Sequence, residues 1–234
     1  MIPKVIHYCW FGHGKMPKLA ERCISSWKKY CSDYEIKEWN EDNFDLDMYP
    51  YVREAYDNKK YAFVTDVVRL YALYTEGGIY MDTDVEVIKS LDRFLVHNAF
   101  SGFQDVDSIL TGIMASEKGG RWAKDNLKYY EGKHFVRSDG SLNLQTNVDT
   151  IMELMKPYGF KFDNTYQNID NYITFYPKEY FCPIEHVNDI KLTDNTYTIH
   201  YFAGSWLPWR EKAKKKIIRL LGKNLWNVIK VVYH

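Results

Sequence analysis

Cysteine is scarce in this 234-residue chain: Cys9, Cys23, Cys31 and Cys182 form no C-x-x-C pair and show no zinc-like spacing with histidine. That excludes a disulfide-stapled scaffold and a structural zinc module, and predicts reduced, mostly structural thiols in a cytoplasmic setting. No stretch approaches the roughly 20 apolar residues that a membrane span needs. The opening MIPKVIHYCW has no basic region followed by a long apolar run, so neither a signal peptide nor a membrane-spanning segment is expected. Charge of one sign is also missing, since 31 Lys and Arg face 31 Asp and Glu. A net charge of zero argues against nucleic-acid binding driven by counterion release. No G-x-x-x-x-G-K-[ST] loop occurs, which disfavours P-loop chemistry. No repeat, low-complexity tract or flexible linker divides residues 1–209.

What is abundant is aromatic: 17% of the residues, with 20 Tyr and 7 Trp. Such rings fill cores, and their flat amphipathic faces also suit stacking on sugars and nucleobases. A mass of 27.8 kDa is enough for one sizeable α/β unit. Charge is segregated, however. Residues 211–234 carry seven Lys and Arg against Glu211 alone, a net +6 that leaves −6 on residues 1–210. Two units are expected: a catalytic domain over 1–209 and a basic amphipathic helix over 210–234.

The spacing of apolar residues predicts a strand over Ile2 to Trp10 running into the Gly12 to Gly14 turn, then a helix over Lys18 to Tyr30 and a strand over Tyr34 to Trp39. After an irregular acidic stretch, a helix is expected over Tyr61 to Thr75, ended by Gly77-Gly78. Short strands follow at Ile79 to Met81 and Val85 to Ile88. Further strands are read at Ala99 to Phe103, Ile109 to Ala115, Ile173 to Tyr176 and Tyr197 to Phe202, and helices at Arg121 to Tyr130 and Leu142 to Met155.

Chemistry concentrates between residues 66 and 84. Asp66 and Arg69 stand three apart on a predicted helix, so they share a face. On an exposed helix they would be an ordinary ion pair, but Phe63, Val64, Val67, Val68 and Leu70 make this helix largely apolar. A buried polar pair needs a reason, and a polar ligand is one. Asp82 and Asp84, two apart at a strand end, can converge on one hard cation. A lone D-x-D is common by chance; Gly77-Gly78, which permits a tight turn before it, and the Ile79 and Met81 anchors give this one weight.

The string Asp66-x-x-Arg69-x-x-x-Leu73-x-x-x-Gly77-Gly78-Ile79-Tyr80-x-Asp82-x-Asp84 closely resembles the D-x-D region of the family 32 glycosyltransferases. Residues 2–12, and His200 with Ser205-Trp206, resemble that family's N-terminal and C-terminal motifs. The resemblance implies a GT-A-type α/β fold, a Rossmann-like mixed sheet with flanking helices. It implies a retaining hexosyl transfer from a nucleotide sugar, UDP more than GDP, with Mn²⁺ or Mg²⁺ as cofactor. The acceptor it implies is a saccharide or lipid-linked saccharide of surface polysaccharide synthesis.

By the same resemblance, Trp10 stacks on the nucleobase, Asp66 and Arg69 grip the donor sugar, and Tyr80 lies near the donor. Asp82 meets ribose or metal-bound water, and Asp84 ligates the metal. His200 and Ser205 complete the metal site, with Ser205 and Trp206 touching the leaving phosphate. Thr146 and Asn147 lie where the family carries donor-side or acceptor-side polar residues, though the local pattern departs from it. Two readings of other classes remain at this point: a sugar-nucleotide-binding scaffold with a decayed site, and a phosphotransferase or nucleotidyltransferase using the same metal logic.

Lys212 to Val232 reads as a basic amphipathic helix with Ile217, Ile218, Leu221, Leu225, Val228, Ile229 and Val232 in one stripe. Such a helix can lie at an anionic membrane surface, or dock its stripe on the core. Removal of residues 211–234 is expected to abolish co-sedimentation with anionic liposomes while soluble donor hydrolysis persists. Loss of folding on that deletion would instead identify a core-docked helix.

Overall fold

The computed structural model describes residues 1–186 and 189–204. The predicted tail helix, like Ser205 and Trp206, lies outside the described residues. In chain order the elements are β1 (Val5–Cys9), α1 (Lys18–Tyr30), β2 (Glu35–Trp39), α2 (Pro50–Asp57), α3 (Tyr61–Thr75), β3 (Gly78–Met81) and β4 (Val85–Val87). They continue as β5 (Ala99–Asp105), β6 (Ser108–Ser116), α4 (Arg121–Lys128), α5 (Asn147–Met155), β7 (Gln167–Ile169) and β8 (Ile173–Tyr176). Last come α6 (Lys178–Phe181), β9 (Ile184–His186), β10 (Asp189–Ile190) and β11 (Thr198–His200).

Seven strands form one mixed sheet in the order β2-β1-β3-β6-β5-β8-β7. β1 runs parallel to β2 and β3, and β5 parallel to β8, while β6 is antiparallel to both β3 and β5. Parallel strand pairs need cover on both faces, and apolar clusters lie on both. One gathers α2, α3, α4 and α5 residues around Val67, Leu70, Trp122 and Ile151. The other gathers Trp27 of α1 with Ile6, Val85, Phe94 and Phe181. This is the Rossmann-like mixed sheet with flanking helices that the resemblance implied.

Helix and strand bounds follow capping chemistry more than apolar spacing. The helix expected from Leu142 starts at Asn147, because Thr146 forms a reciprocal capping box with Asp149 and so fixes the first turn there. Helix α2, which apolar periodicity over so few residues did not announce, begins at Pro50 and buries Tyr51, Val52 and Ala55; proline is pre-shaped for a first helical turn. The terminal strand is confined to Thr198–His200, paired antiparallel with β4 in a separate small sheet. All four cysteines are free and buried, and no described helix is long and apolar enough to cross a membrane.

The turn into β3 is tied down from beneath. Gly77 and Gly78 have φ of 72° and 112°, the left-handed side that glycine tolerates. A Cβ on Gly78 would meet the Val5 carbonyl at 2.5 Å, so only glycine lets β3 lie this close to β1. Buried His7 Nε2 donates to the Gly77 carbonyl at 2.7 Å, and its Nδ1 accepts from the Trp39 indole at 3.0 Å. An indole can only donate and a carbonyl only accept. His7 is therefore neutral with its proton on Nε2, and burial lowers its pKa.

A histidine held neutral in the fold but free to protonate when unfolded makes acid destabilising, since the unfolded chain binds the extra proton as pH falls below about 6.5. In urea melts, a His7→Gln variant keeps one donor and one acceptor without titrating. Its stability relative to wild type is expected to rise steadily from pH 7 to pH 5.

Candidate active site

Helix α3 enters the core with Asp66 and Arg69 on the face toward the sheet; they are 7% and 6% exposed. Each of the three guanidinium nitrogens has a partner. Nε donates to the Thr65 carbonyl at 3.2 Å and one terminal nitrogen to the Thr111 carbonyl at 2.9 Å. The other lies 3.3 Å from Asp66 and 3.6 Å from Asp82. The group also rides over the Tyr80 ring, 4.6 Å from its centroid. Burial opposes the Arg69 charge, but Tyr80, Asp82 and Asp66 outweigh it and raise its pKa.

Asp66 itself is pushed up to about 6 by burial, with Asp82 adding to the rise and Arg69 pulling against it. The backbone N–H of Asn147, at the start of α5, also donates to Asp66. Asp66 thus sits behind Arg69. The Asn147 side-chain nitrogen is buried without a partner, while Thr146 is spent on the cap.

The carboxylate pair lies in the turn where β3 ends. The Tyr80 hydroxyl donates to Asp82 Oδ1 at 2.7 Å, and burial lifts that phenol well above its ordinary pKa, so it stays a donor. Asp84 is held by the chain that leaves β11: Ala203 N–H donates to Oδ2 at 2.6 Å and Tyr201 N–H to the Asp84 carbonyl at 3.0 Å. His200 Nε2 stands 3.2 Å from Asp84 Oδ1 and 3.8 Å from Asp82 Oδ2. Burial pushes the Asp84 carboxyl up, yet His200 and the Ala203 N–H hold it below the usual range. His200 moves the other way: burial lowers it, and Asp84 and Asp82 raise it more.

An irregularity in β6 makes this arrangement fit. The β5–β6 register shifts between Phe100 and Gly102, and a bulge of that kind re-aims backbone groups at strand level. The Ser101 hydroxyl bridges the carbonyls of Leu110 and Ile113, at 2.5 and 3.0 Å. Thr111 offers its carbonyl to Arg69, and Gly112 accepts from Asp82 N–H at 2.8 Å. A Cβ on Gly112 would meet the His200 ring at 2.7 Å. The glycine is a recess for the imidazole. Ser101, Thr111 and Gly112 escaped sequence reasoning; a lone glycine inside the apolar run Ile109 to Ala115 was the available signal.

These groups open on a cleft of about 470 Å³. Asp82, Asp84, His200 and Phe202 line it together with Trp10, Gly12, Gly14, Lys15 and Tyr61. Half-buried Trp10 donates its indole N–H to the Gly14 carbonyl at 2.6 Å. Asp82, Asp84 and His200 each offer a ligand atom within 4.8 Å of the others. Two carboxylates and an imidazole suit a divalent ion such as Mn²⁺, and the His200 Nδ1 is buried without a partner, so the ring is held by its recess and its carboxylate side. The residues fit a metal.

Residues 17–101 match the family described as the glycosyltransferase sugar-binding region containing a DXD motif. Inositol phosphoceramide mannosyltransferase 3 of Schizosaccharomyces pombe is 32% identical over 125 residues, covering 50% of this chain and 34% of that protein. Its paralogue, inositol phosphoceramide mannosyltransferase 2, is 30% identical with the same coverage. The chain spans about a third of the length of these two relatives. Glycosyltransferase L373 of Acanthamoeba polyphaga mimivirus is 27% identical over 222 residues, 89% of this chain and 85% of that one. A solved glycosyltransferase involved in glycosylation of the PBCV-1 major capsid aligns over 92% of this chain and 100% of its own at 12% identity, with a TM-score of 0.49.

Gly112→Ala is expected to displace the His200 ring and weaken Mn²⁺ binding by about tenfold or more, the usual scale for disturbing a ligand's support. Electron paramagnetic resonance titration of free Mn²⁺ checks this, with circular dichroism confirming the fold. Unchanged affinity would remove His200 from the ligand set.

Proposed function

Since residues 17–101 belong to the DXD-containing glycosyltransferase sugar-binding family, we propose that this chain is a metal-dependent retaining hexosyltransferase that uses a nucleotide sugar, with UDP as the carrier. The observation that carries the reading is the convergence of Asp82, Asp84, His200 and Arg69 at one cleft, with Asp66 paired to Arg69 from behind. Two carboxylates this close to a diphosphate repel it unless a cation stands between them. A divalent ion held by Asp82, Asp84 and His200 would supply charge to the leaving diphosphate.

The chain's own groups divide the remaining tasks. Trp10 offers a face to the base in the cleft. Arg69 orients the donor sugar, its own position held by the Thr111 carbonyl and the Tyr80 ring. Asp66 stabilises the positive charge that develops at the anomeric carbon. Tyr80 keeps Asp82 aimed by donating to it. Ser205 and Trp206 are assigned as donors to the leaving phosphate on the family resemblance. In front-face attack the acceptor hydroxyl bonds to the anomeric carbon as the carbon–oxygen bond to the phosphate breaks, and the leaving phosphate takes the hydroxyl proton. Configuration is retained and no covalent adduct forms.

The acceptor in this reading is a saccharide or lipid-linked saccharide of surface polysaccharide synthesis. Residues 1–209 form the catalytic unit. The basic segment 210–234 holds it at the cytoplasmic face of an anionic membrane. Retention of the whole carboxylate, arginine and histidine cluster speaks against a decayed scaffold, in which a metal carboxylate is the first expected loss.

Nucleoside diphosphate release from a panel of UDP- and GDP-sugars, with Mn²⁺ or with EDTA, tests the proposal. One donor should be turned over with metal only, and Asp84→Ala should lose at least about a hundredfold, the scale of an electrostatic stabiliser. Metal-independent turnover, or no nucleotide binding at all, would sink it. Because burial pushes the Asp66 carboxyl up to about 6, turnover should also fall as pH drops through that value and the carboxylate is neutralised. A pH–rate profile flat from pH 5 to 8 would remove Asp66 from the charge-stabilising role.

A further inference from the structure

A carboxylate that this chemistry does not use sits behind the cleft wall. Glu41, in the turn after β2, has a side chain only 11% exposed. Its Oε1 accepts from the Gly12 N–H at 2.6 Å and from the Tyr56 hydroxyl at 2.9 Å, while Oε2 is buried without a partner. Burial pushes this carboxyl up, but the Gly12 N–H, its own backbone N–H and Tyr56 outweigh that and leave it low. Glu41 therefore holds the loop as an anion, through a charge-assisted bond.

The loop between β1 and α1 needs holding. Gly12 has φ of 90° and His13 a φ of 52°, and a non-glycine residue in the left-handed region persists only where its surroundings impose it. Gly12 also packs so closely on Tyr61 that a Cβ there would meet the ring at 2.5 Å. The ring of Trp10 is placed by this loop through its indole N–H on the Gly14 carbonyl, while the Trp10 backbone N–H is tied to the Trp39 carbonyl of β2 at 2.9 Å. Trp10, Gly12, Gly14 and Tyr61 line the same cleft as the acid cluster.

We infer that Glu41 is a positioning residue that sets the cleft's affinity for the nucleoside end of its donor, by pinning Gly12 and so presenting Trp10 in its binding orientation. The inference rests on the glycosyltransferase reading and deepens it. With the pin in place the wall is preorganised. Without it, ordering two left-handed residues is charged to nucleotide binding. Glu41 has no hydrogen bond or ion pair with Asp82, Asp84, His200, Arg69 or Asp66 among the described residues, so it acts on the acid cluster through no direct contact.

The test uses the full chain. Hydrogen exchange of residues 11–15 is measured without nucleotide, UDP and GDP are titrated with Mn²⁺ present, Mn²⁺ is titrated alone, and steady-state donor hydrolysis is followed. Glu41→Ala is expected to speed loop exchange and to weaken the preferred nucleotide by about tenfold, the value of one charge-assisted hydrogen bond. KM should rise by the same factor, with kcat and Mn²⁺ affinity held within about twofold. Glu41→Gln, which still offers Gly12 an acceptor, should recover most of the loss. Should Glu41→Ala fail to fold, Tyr56→Phe removes one donor from the same carboxylate and, with the Gly12 bond kept, is expected to weaken nucleotide about threefold. Unchanged nucleotide affinity despite faster loop exchange, or a fall in kcat at constant KM, overturns the inference alone. A wild type that binds neither UDP nor GDP overturns the glycosyltransferase reading and this inference together.

Discussion

A guanidinium buried in an apolar helix needs most of its donors met, and Arg69 meets that need by tying together parts of the chain that are distant in sequence. It joins α3 to the bulged carbonyl of Thr111 on β6 and to Asp66 and Asp82, with the Tyr80 ring beneath it. Leaving such a group unpaired in the interior would cost several kcal/mol, so the placement of each partner is constrained by the others. The same network that stabilises the charge assembles the site. Asp82 is aimed by Arg69, Tyr80 and the Gly112 carbonyl before any ligand arrives.

Glycine and the bulge then decide how closely the pieces approach. Gly78 lets β3 lie against β1, and Gly112 leaves room for the imidazole that completes the acid cluster. The one Ser101 hydroxyl proton is shared between the Leu110 and Ile113 carbonyls of the irregular strand. Elsewhere, Glu41 holds a loop whose left-handed residues place the aromatic wall. Two different devices therefore hold the cleft's lining: a charged network around the acid cluster and a single pinned turn beside Trp10. Site precision of this kind comes from the shell behind the ligand-facing groups.

Much of the fold was legible along the chain because its central elements carry strong local signals. Helix α3 has a broad apolar stripe stopped by Gly77-Gly78, and β1 is rich in β-branched and aromatic residues; both appear within a few residues of expectation. Elements governed by caps were less legible. Thr146 and Asp149 cut the α5 pattern short, and Pro50 opens a helix too brief for periodicity to reveal. In the site, Asp66, Arg69, Asp82 and Asp84 stood out because charged residues in an apolar setting need a reason. His200 was reached through resemblance, since a single histidine at a strand end carries no signal of its own.

Local spacing determined that Asp66 and Arg69 share a helix face and that Asp82 and Asp84 share a turn, because 3.6-residue and 2-residue periods act over a few ångströms of chain. Only the tertiary structure decided that β11 returns beside β4 to bring His200 against Asp84, that β6 bulges to offer the Thr111 carbonyl to Arg69, and that Glu41 reaches Gly12. Those contacts join residues tens of positions apart, and strand register, sheet order and the space left by a missing side chain set them. None of these is a property of any short stretch of sequence.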